Sequence, residues 1–280
     1  MHHYVTVRRR RVRYLEAGHG RPVLLVHAFP LAADMWAPQL SAVPPGWRFV
    51  APDLRGFGGS AREIDTELGH ATNDGATSID DYARDLLDLL DALAIERAVV
   101  VGLSMGGYVA FALHRRAAAR LEALVLCDTR SQADTDEGRE NRKRMLAELG
   151  QHGLPAIADA MLPKLLGPVA LADPSGPRSA VRRLILGNAS PGIADAIRCL
   201  MTRPDATPAL ASITRPTLIL VGRDDQLTPV ADHEAMHAAI AGSRLQVIDG
   251  ASHLSNIERP EDFNRALFDF LESLLPSGHA

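Results

Sequence analysis

Six stretches of the chain are largely apolar over four to seven residues: 22–26, 48–51, 98–101, 121–127, 216–221 and 245–248. Unbroken apolar runs of this length mark strands buried on both faces, as in a parallel sheet. Between them, apolar positions recur at helical spacing over 78–93, 105–116, 230–240 and 260–275. Ser78 caps the first of these helices, and the last carries Phe263, Leu267, Phe270 and Leu271 on one side. Strands alternating with helices predict an α/β fold, a mostly parallel twisted sheet with helices on both faces. Ahead of it, 4–7 and 12–16 read as a hairpin with solvated arginines at 8–11, and 63–78 reads as a polar surface excursion.

From 131 to 203 the strand signal vanishes. Four helical segments are expected instead, at 137–149, 155–166, 177–186 and 191–201, separated by Gly153, Gly167-Pro168, 174–177 and Gly187. The charged run 137–144 reads as a solvated helix face. An insert between two sheet strands sits over the carboxyl edge of the sheet as a cap. The expected organisation is therefore a core of 1–130 with 204–280 and a helical cap (lid) of 131–203.

Composition adds mainly exclusions. The 280 residues are 46% apolar and 23% charged, with a net charge of -4, which offers no field for nucleic acid or an anionic membrane. No run approaches the ~20 apolar residues of a membrane span, and 1–7 lacks the apolar core of a signal peptide, so a cytoplasmic location is expected. Cys127 and Cys199 are far apart and read as reduced, partly buried thiols.

The chemistry concentrates at Gly102-Leu103-Ser104-Met105-Gly106, where an apolar run turns sharply into a helix. Such a reversal crowds the positions two before and two after its apex, so both favour glycine, and the apex side chain projects from the sheet. Ser104 therefore reads as a nucleophile. Asp225 and His253 also follow apolar runs, which puts both on loops at the same sheet edge. A serine hydroxyl needs an imidazole within hydrogen-bond reach, and the imidazole needs a carboxylate to orient it.

In the order Ser, Asp, His, this chain resembles the α/β-hydrolase fold superfamily over nearly its whole length. The resemblance rests on 27–30, 53–60, 102–107, Gly222 to Asp225 with Thr228-Pro229, and Gly250 to His253. It implies Ser104 as nucleophile, Asp225 as acid and His253 as base, with backbone N–H groups of Phe29 and Met105 forming an oxyanion hole. The insert and the stretch 126–130 are similar to those of 3-oxoadipate enol-lactonases and small esterases. The implied function is a serine hydrolase cleaving a small-molecule carboxylic ester or lactone through an acyl-enzyme, with no cofactor. The same triad also serves carbon–carbon bond hydrolysis, amide hydrolysis or perhydrolysis, and a non-catalytic ligand receptor is the alternative of a different class.

Other residues have competing readings. His27 begins the oxyanion loop and reads as structural, Asp224 adjoins the acid, and Asp128 ends the preceding strand as a substitute acid. The glycines of 56–59 lack a Walker lysine and read as a turn. His19, His114 and His152 are expected at the surface. His233-Glu234-Ala235-Met236-His237 matches a zinc-protease pattern, yet lies on an outer connecting helix without a clear third ligand, so no metal site is expected. Arg130, just past a strand end, is the candidate for holding a substrate carboxylate.

Overall fold

The computed structural model describes residues 2–8, 10–60, 64–65, 70–71 and 75–275. Eight strands form the main sheet: β1 (His2–Val7), β2 (Arg10–Gly18), β3 (Arg21–Val26), β4 (Trp47–Pro52), β5 (Ala98–Leu103), β6 (Leu121–Cys127), β7 (Thr217–Gly222) and β8 (Arg244–Ile248). Their spatial order is β1-β2-β4-β3-β5-β6-β7-β8. The β1–β2 and β2–β4 pairs are antiparallel, and the remaining pairs are parallel. Burial follows position in this order. Every residue of the central β5 and of β7 is buried, whereas the edge strands β1 and β8 alternate between exposed and partly buried positions before ending on a buried Val7 and Ile248. Each fully buried valine or leucine of β5 contributes roughly 1.5–3 kcal/mol, so the apolar runs dominate the core.

Strand β3 lies between β4 and β5, the next two strands of the main sheet, so the direction of chain progression reverses there. Open α/β sheets form their binding crevice at such a point, at the carboxyl ends of the strands. Right-handed crossovers running in opposite directions from it put their helices on opposite faces. Helices α1 (Ile79–Ala92) and α2 (Met105–Ala117) pack together, and the C-terminal helix α8 (Pro260–Ser273) packs against the short helix Ala37–Leu40. Between β6 and β7 come α3 (Asp136–Leu165), α4 (Pro168–Ala172), α5 (Pro177–Leu186) and α6 (Ser190–Met201), and between β7 and β8 comes α7 (Val230–Ala239).

Several expectations need correction. The hairpin arginines are not simply solvated: Arg10 bonds Asp85 of α1 at 2.7 Å, and the Arg11 guanidinium lies 3.8 Å from the Tyr4 ring centroid. They fasten the hairpin to the helix behind it and to itself. The expected excursion at 63–78 contains two-residue strands, Ile64–Asp65 and His70–Ala71, paired antiparallel, while 63, 66–69 and 72–74 lie outside the described residues. The break expected at Gly153 is present, with φ 71° and ψ −164° there, and α3 denotes the two helical segments on either side of it. At Gly167-Pro168 a short helix starts rather than a simple break, because proline suits the first turn, where its missing N–H has no partner to lose. His114 is half-buried rather than at the surface, with Nε2 3.2 Å from Ser212 Oγ. Cys127 and Cys199 are free and both buried. Among the described residues, no helix is long and apolar enough to cross a membrane.

Candidate active site

Ser104 stands between β5 and α2 with φ 54° and ψ −113°, a strained conformation for a residue with a Cβ. A Cβ on Gly102 would run into the Gly106 backbone, and one on Gly106 would run into the Val26 carbonyl. This crowding is the steric reason for both glycines. The Ser104 N–H donates to the Cys127 carbonyl at 2.9 Å, and Thr129 Oγ1 donates to the Ser104 carbonyl at 2.8 Å. Neighbouring strand ends thereby hold the turn from one side.

His253 Nε2 lies 2.8 Å from Ser104 Oγ, and its Nδ1 lies 2.8 Å from Asp225 Oδ2. Asp225 is held in turn: Oδ1 accepts the N–H groups of Leu227 and Thr228 at 2.8 and 3.0 Å, and Oδ2 accepts the Thr228 hydroxyl at 2.6 Å. Burial pushes the Asp225 carboxyl up, but the adjoining His253 and the Thr228 bonds outweigh it and hold it below the ordinary range. An ionised acceptor at Nδ1 keeps the proton there and leaves the Nε2 lone pair facing the hydroxyl. Proton transfer from Ser104 to His253 is therefore geometrically open.

The competing residues have other partners. Asp224 is exposed. Asp128 is fully buried and accepts the Gly222 N–H at 2.8 Å and the Ser255 hydroxyl; burial, then the nearby Asp225 charge, pushes it well above the carboxylate range. Asp128 thus sits beside the pair with its own partners and makes no bond to His253. His27 donates from Nδ1 to the Ala28 carbonyl at 3.0 Å and accepts the Leu54 N–H on Nε2 at 3.0 Å, bracing the loop that carries Phe29. The glycines of 56–59 wrap Asp53, whose Oδ2 accepts the Gly59 N–H and Arg13 Nη1, at 2.8 and 2.9 Å.

The zinc-like pair is engaged by the protein's own groups. His233 Nε2 accepts the Thr129 N–H at 3.0 Å and its Nδ1 donates to the Pro229 carbonyl at 3.1 Å, while His237 Nδ1 is 2.8 Å from Ser243 Oγ. Burial depresses the His233 pKa to about 4. A depressed folded pKa means the neutral ring stabilises the fold above the unfolded value near 6.5, and that contribution is lost as pH falls toward 4. The full loss is about 3 kcal/mol. Thermal melts from pH 7 down to pH 4 should therefore fall more steeply for the native protein than for His233→Gln; parallel curves would contradict this role.

Ser104 and His253 open into a cavity of about 260 Å³. Phe29 and Met105 line it, and Met105 is the first residue of α2, where no preceding turn can accept its N–H. Its lining includes Arg130, Arg142, Lys164 and Arg203 with a single carboxylate, Asp134. Arg203 is buried, bonded to Asp134 and to the Leu200 and Gln132 carbonyls, and lies 4.3 Å from the Tyr108 ring centroid. Arg142 bonds Asp134 at 3.2 Å, so the run 137–144 turns one arginine inward rather than solvating all of them. Arg130 is 3.4 Å from Asp232, and among the described residues Lys164 forms no ion pair. Sequence reasoning missed Arg142, Lys164 and Arg203. The scarcity of lysine, with Lys143 and Lys164 the whole complement, was the one available hint.

The fold agrees with comparisons to known proteins. The chain is 32% identical over 240 residues to 3-oxoadipate enol-lactonase 1 of Acinetobacter baylyi, covering 86% of this chain and 84% of that protein. A thermophilic esterase from Thermogutta terrifontis, solved with malate bound, superposes with a TM-score of 0.89 at 35% identity, covering 98% of this chain and 99% of that one. The enol-lactonase from Burkholderia xenovorans superposes with a TM-score of 0.86 at 29% identity, covering 96% and 100%. Residues 23–266, nearly the whole span from β3 to α8, match the family model for alpha/beta hydrolases, and the chain belongs to that family.

Proposed function

We propose that this protein is a serine hydrolase that cleaves carboxylic esters or lactones. The observation that carries the reading is the continuous chain of two 2.8 Å contacts from Ser104 through His253 to Asp225, opening into a cavity. Ser104 Oγ attacks the carbonyl carbon as His253 Nε2 takes its proton. The resulting oxyanion is held by the N–H groups of Phe29 and Met105, each such donor contributing about 3–4 kcal/mol to the transition state. His253 returns the proton to the departing oxygen, leaving an acyl-enzyme, and then activates the water that releases the acid. Asp225 holds the ring in its working tautomer. No cofactor takes part. Residues 131–203 form the cap over this site, and 1–130 with 204–280 form the core.

A panel of p-nitrophenyl esters of graded chain length alongside lactones tests the reading. Steady multiple turnover is expected. Stoichiometric binding without turnover would identify a ligand receptor instead.

The cationic lining favours a substrate that carries a carboxylate. The family resemblance to enol-lactonases and the malate in the related esterase agree with that charge. Lys164, which forms no ion pair among the described residues, and Arg130, whose contact with Asp232 is a long 3.4 Å, are the anchors, while Arg142 and Arg203 both bond Asp134. A charge-assisted bond at this half-open lining corresponds to about tenfold in KM. Lys164→Met and Arg130→Ala should each raise KM for an anionic p-nitrophenyl hemiester about tenfold, while leaving a neutral ester of matched length within twofold. Equal losses on both substrates would remove the anchoring role.

A further inference from the structure

Glu258 ends the short helix Ser255–Glu258 that follows His253. Its Oε1 accepts the Ser252 N–H at 2.9 Å, and its Oε2 accepts the Gly167 N–H at 2.7 Å. Alongside, the Leu254 N–H donates to the Leu165 carbonyl at 3.1 Å. Ser252 and Leu254 flank His253, whereas Leu165 and Gly167 belong to the junction between α3 and α4 of the insert. Both main-chain neighbours of the histidine are thus tied, directly or through one carboxylate, to the helical insert. Only a carboxylate fits the middle of this clip: each oxygen faces an N–H donor, and an amide has a single oxygen to offer.

We propose that Glu258 is a positioning residue that couples the seating of the insert to the orientation of His253. The proposal rests on the reading of Ser104 and His253 as a nucleophile and base. When residues 165–167 are seated, the clip holds the histidine loop from the insert side, while the Asp224 N–H holds it from the sheet side through the Ala251 carbonyl at 2.9 Å. Displacing the insert releases one of these two restraints, and the imidazole moves out of line with the hydroxyl. A misplacement of about 1 Å at reacting groups costs on the order of 100-fold, so partial loss of one restraint corresponds to roughly tenfold.

The test uses Glu258→Gln, which keeps size but leaves one N–H without an acceptor. Inactivation by phenylmethanesulfonyl fluoride, a small reagent that reports Ser104–His253 competence without filling the cavity, should slow about tenfold. The kcat for a p-nitrophenyl ester should fall by the same factor, with KM within about twofold. A second variant approaches from the insert. Gly167 has φ −71° and ψ 167°, open to any residue, and an added Cβ would stand 3.1 Å from Glu258 Oε2 and force the carboxylate to shift. Gly167→Ala should therefore also slow inactivation, and should add nothing in the Glu258→Gln background.

Inactivation of Glu258→Gln at the native rate, with only the melting temperature lowered, would reduce Glu258 to an anchor and overturn the proposal. If Glu258→Gln does not fold, Gly167→Ala decides alone: a slowed rate supports the coupling and an unchanged rate refutes it. Labelling that persists in Ser104→Ala would instead refute the nucleophile reading, which keeps the two failures apart.

Discussion

Ser104→Ala should lower kcat for ester hydrolysis on the order of 10⁵-fold while leaving the fold and melting temperature near native values. The hydroxyl accounts for little of the packing, since Ser104 is half-buried and the turn is held by its own N–H and carbonyl, through Cys127 and Thr129. What disappears is the covalent step, with the residual rate supplied by the oxyanion donors and by binding. A fluorophosphonate probe should label the native protein once and the variant not at all. Turnover within tenfold of the native rate in a pure sample would show that another group performs the attack.

The second large effect separates two buried aspartates. Asn in place of Asp225 keeps the shape but turns an N–H toward His253 Nδ1, forcing the proton to the other ring nitrogen, so Ser104 Oγ faces a donor instead of a base. The expected loss in kcat is about 10⁴-fold. Asp128→Asn should cost less than about tenfold, because that carboxyl bonds Gly222 and Ser255 rather than His253, burial pushes its pKa up, and an amide can meet both the Gly222 N–H and the Ser255 hydroxyl. Pre-steady-state measurement of acylation distinguishes the two. A larger loss at 128 than at 225 would move the acid to the preceding strand.

These contrasts mark how far local sequence reaches. The turn at Ser104 is readable because its constraint is local: glycines two residues either side answer a clash with the adjoining backbone. Asp225 and His253 are readable as polar residues closing apolar runs, since strand polarity alone carries them to one edge. The histidines of 233–237 look alike on paper, and what separates them from a metal pair is the Thr129 N–H, 104 residues away from His233 in the chain. Arg142 has the same character. Its run is charged enough to read as solvent-facing, and only Asp134 and the buried Arg203, 69 residues beyond that aspartate, turn it inward.

Sequence alone determined the strands of the main sheet and the longer helices, the strained turn and the three residues gathered at its rim, because strand burial, helical periodicity and steric crowding act between near neighbours in the chain. Tertiary structure decided which cations line the cavity, which aspartate bonds the histidine, and that Glu258 joins the insert to the histidine loop across 91 residues. Hydrogen bonds and Coulomb interactions depend on distance through space, and a residue's own neighbours along the chain carry little record of what folding brings beside it.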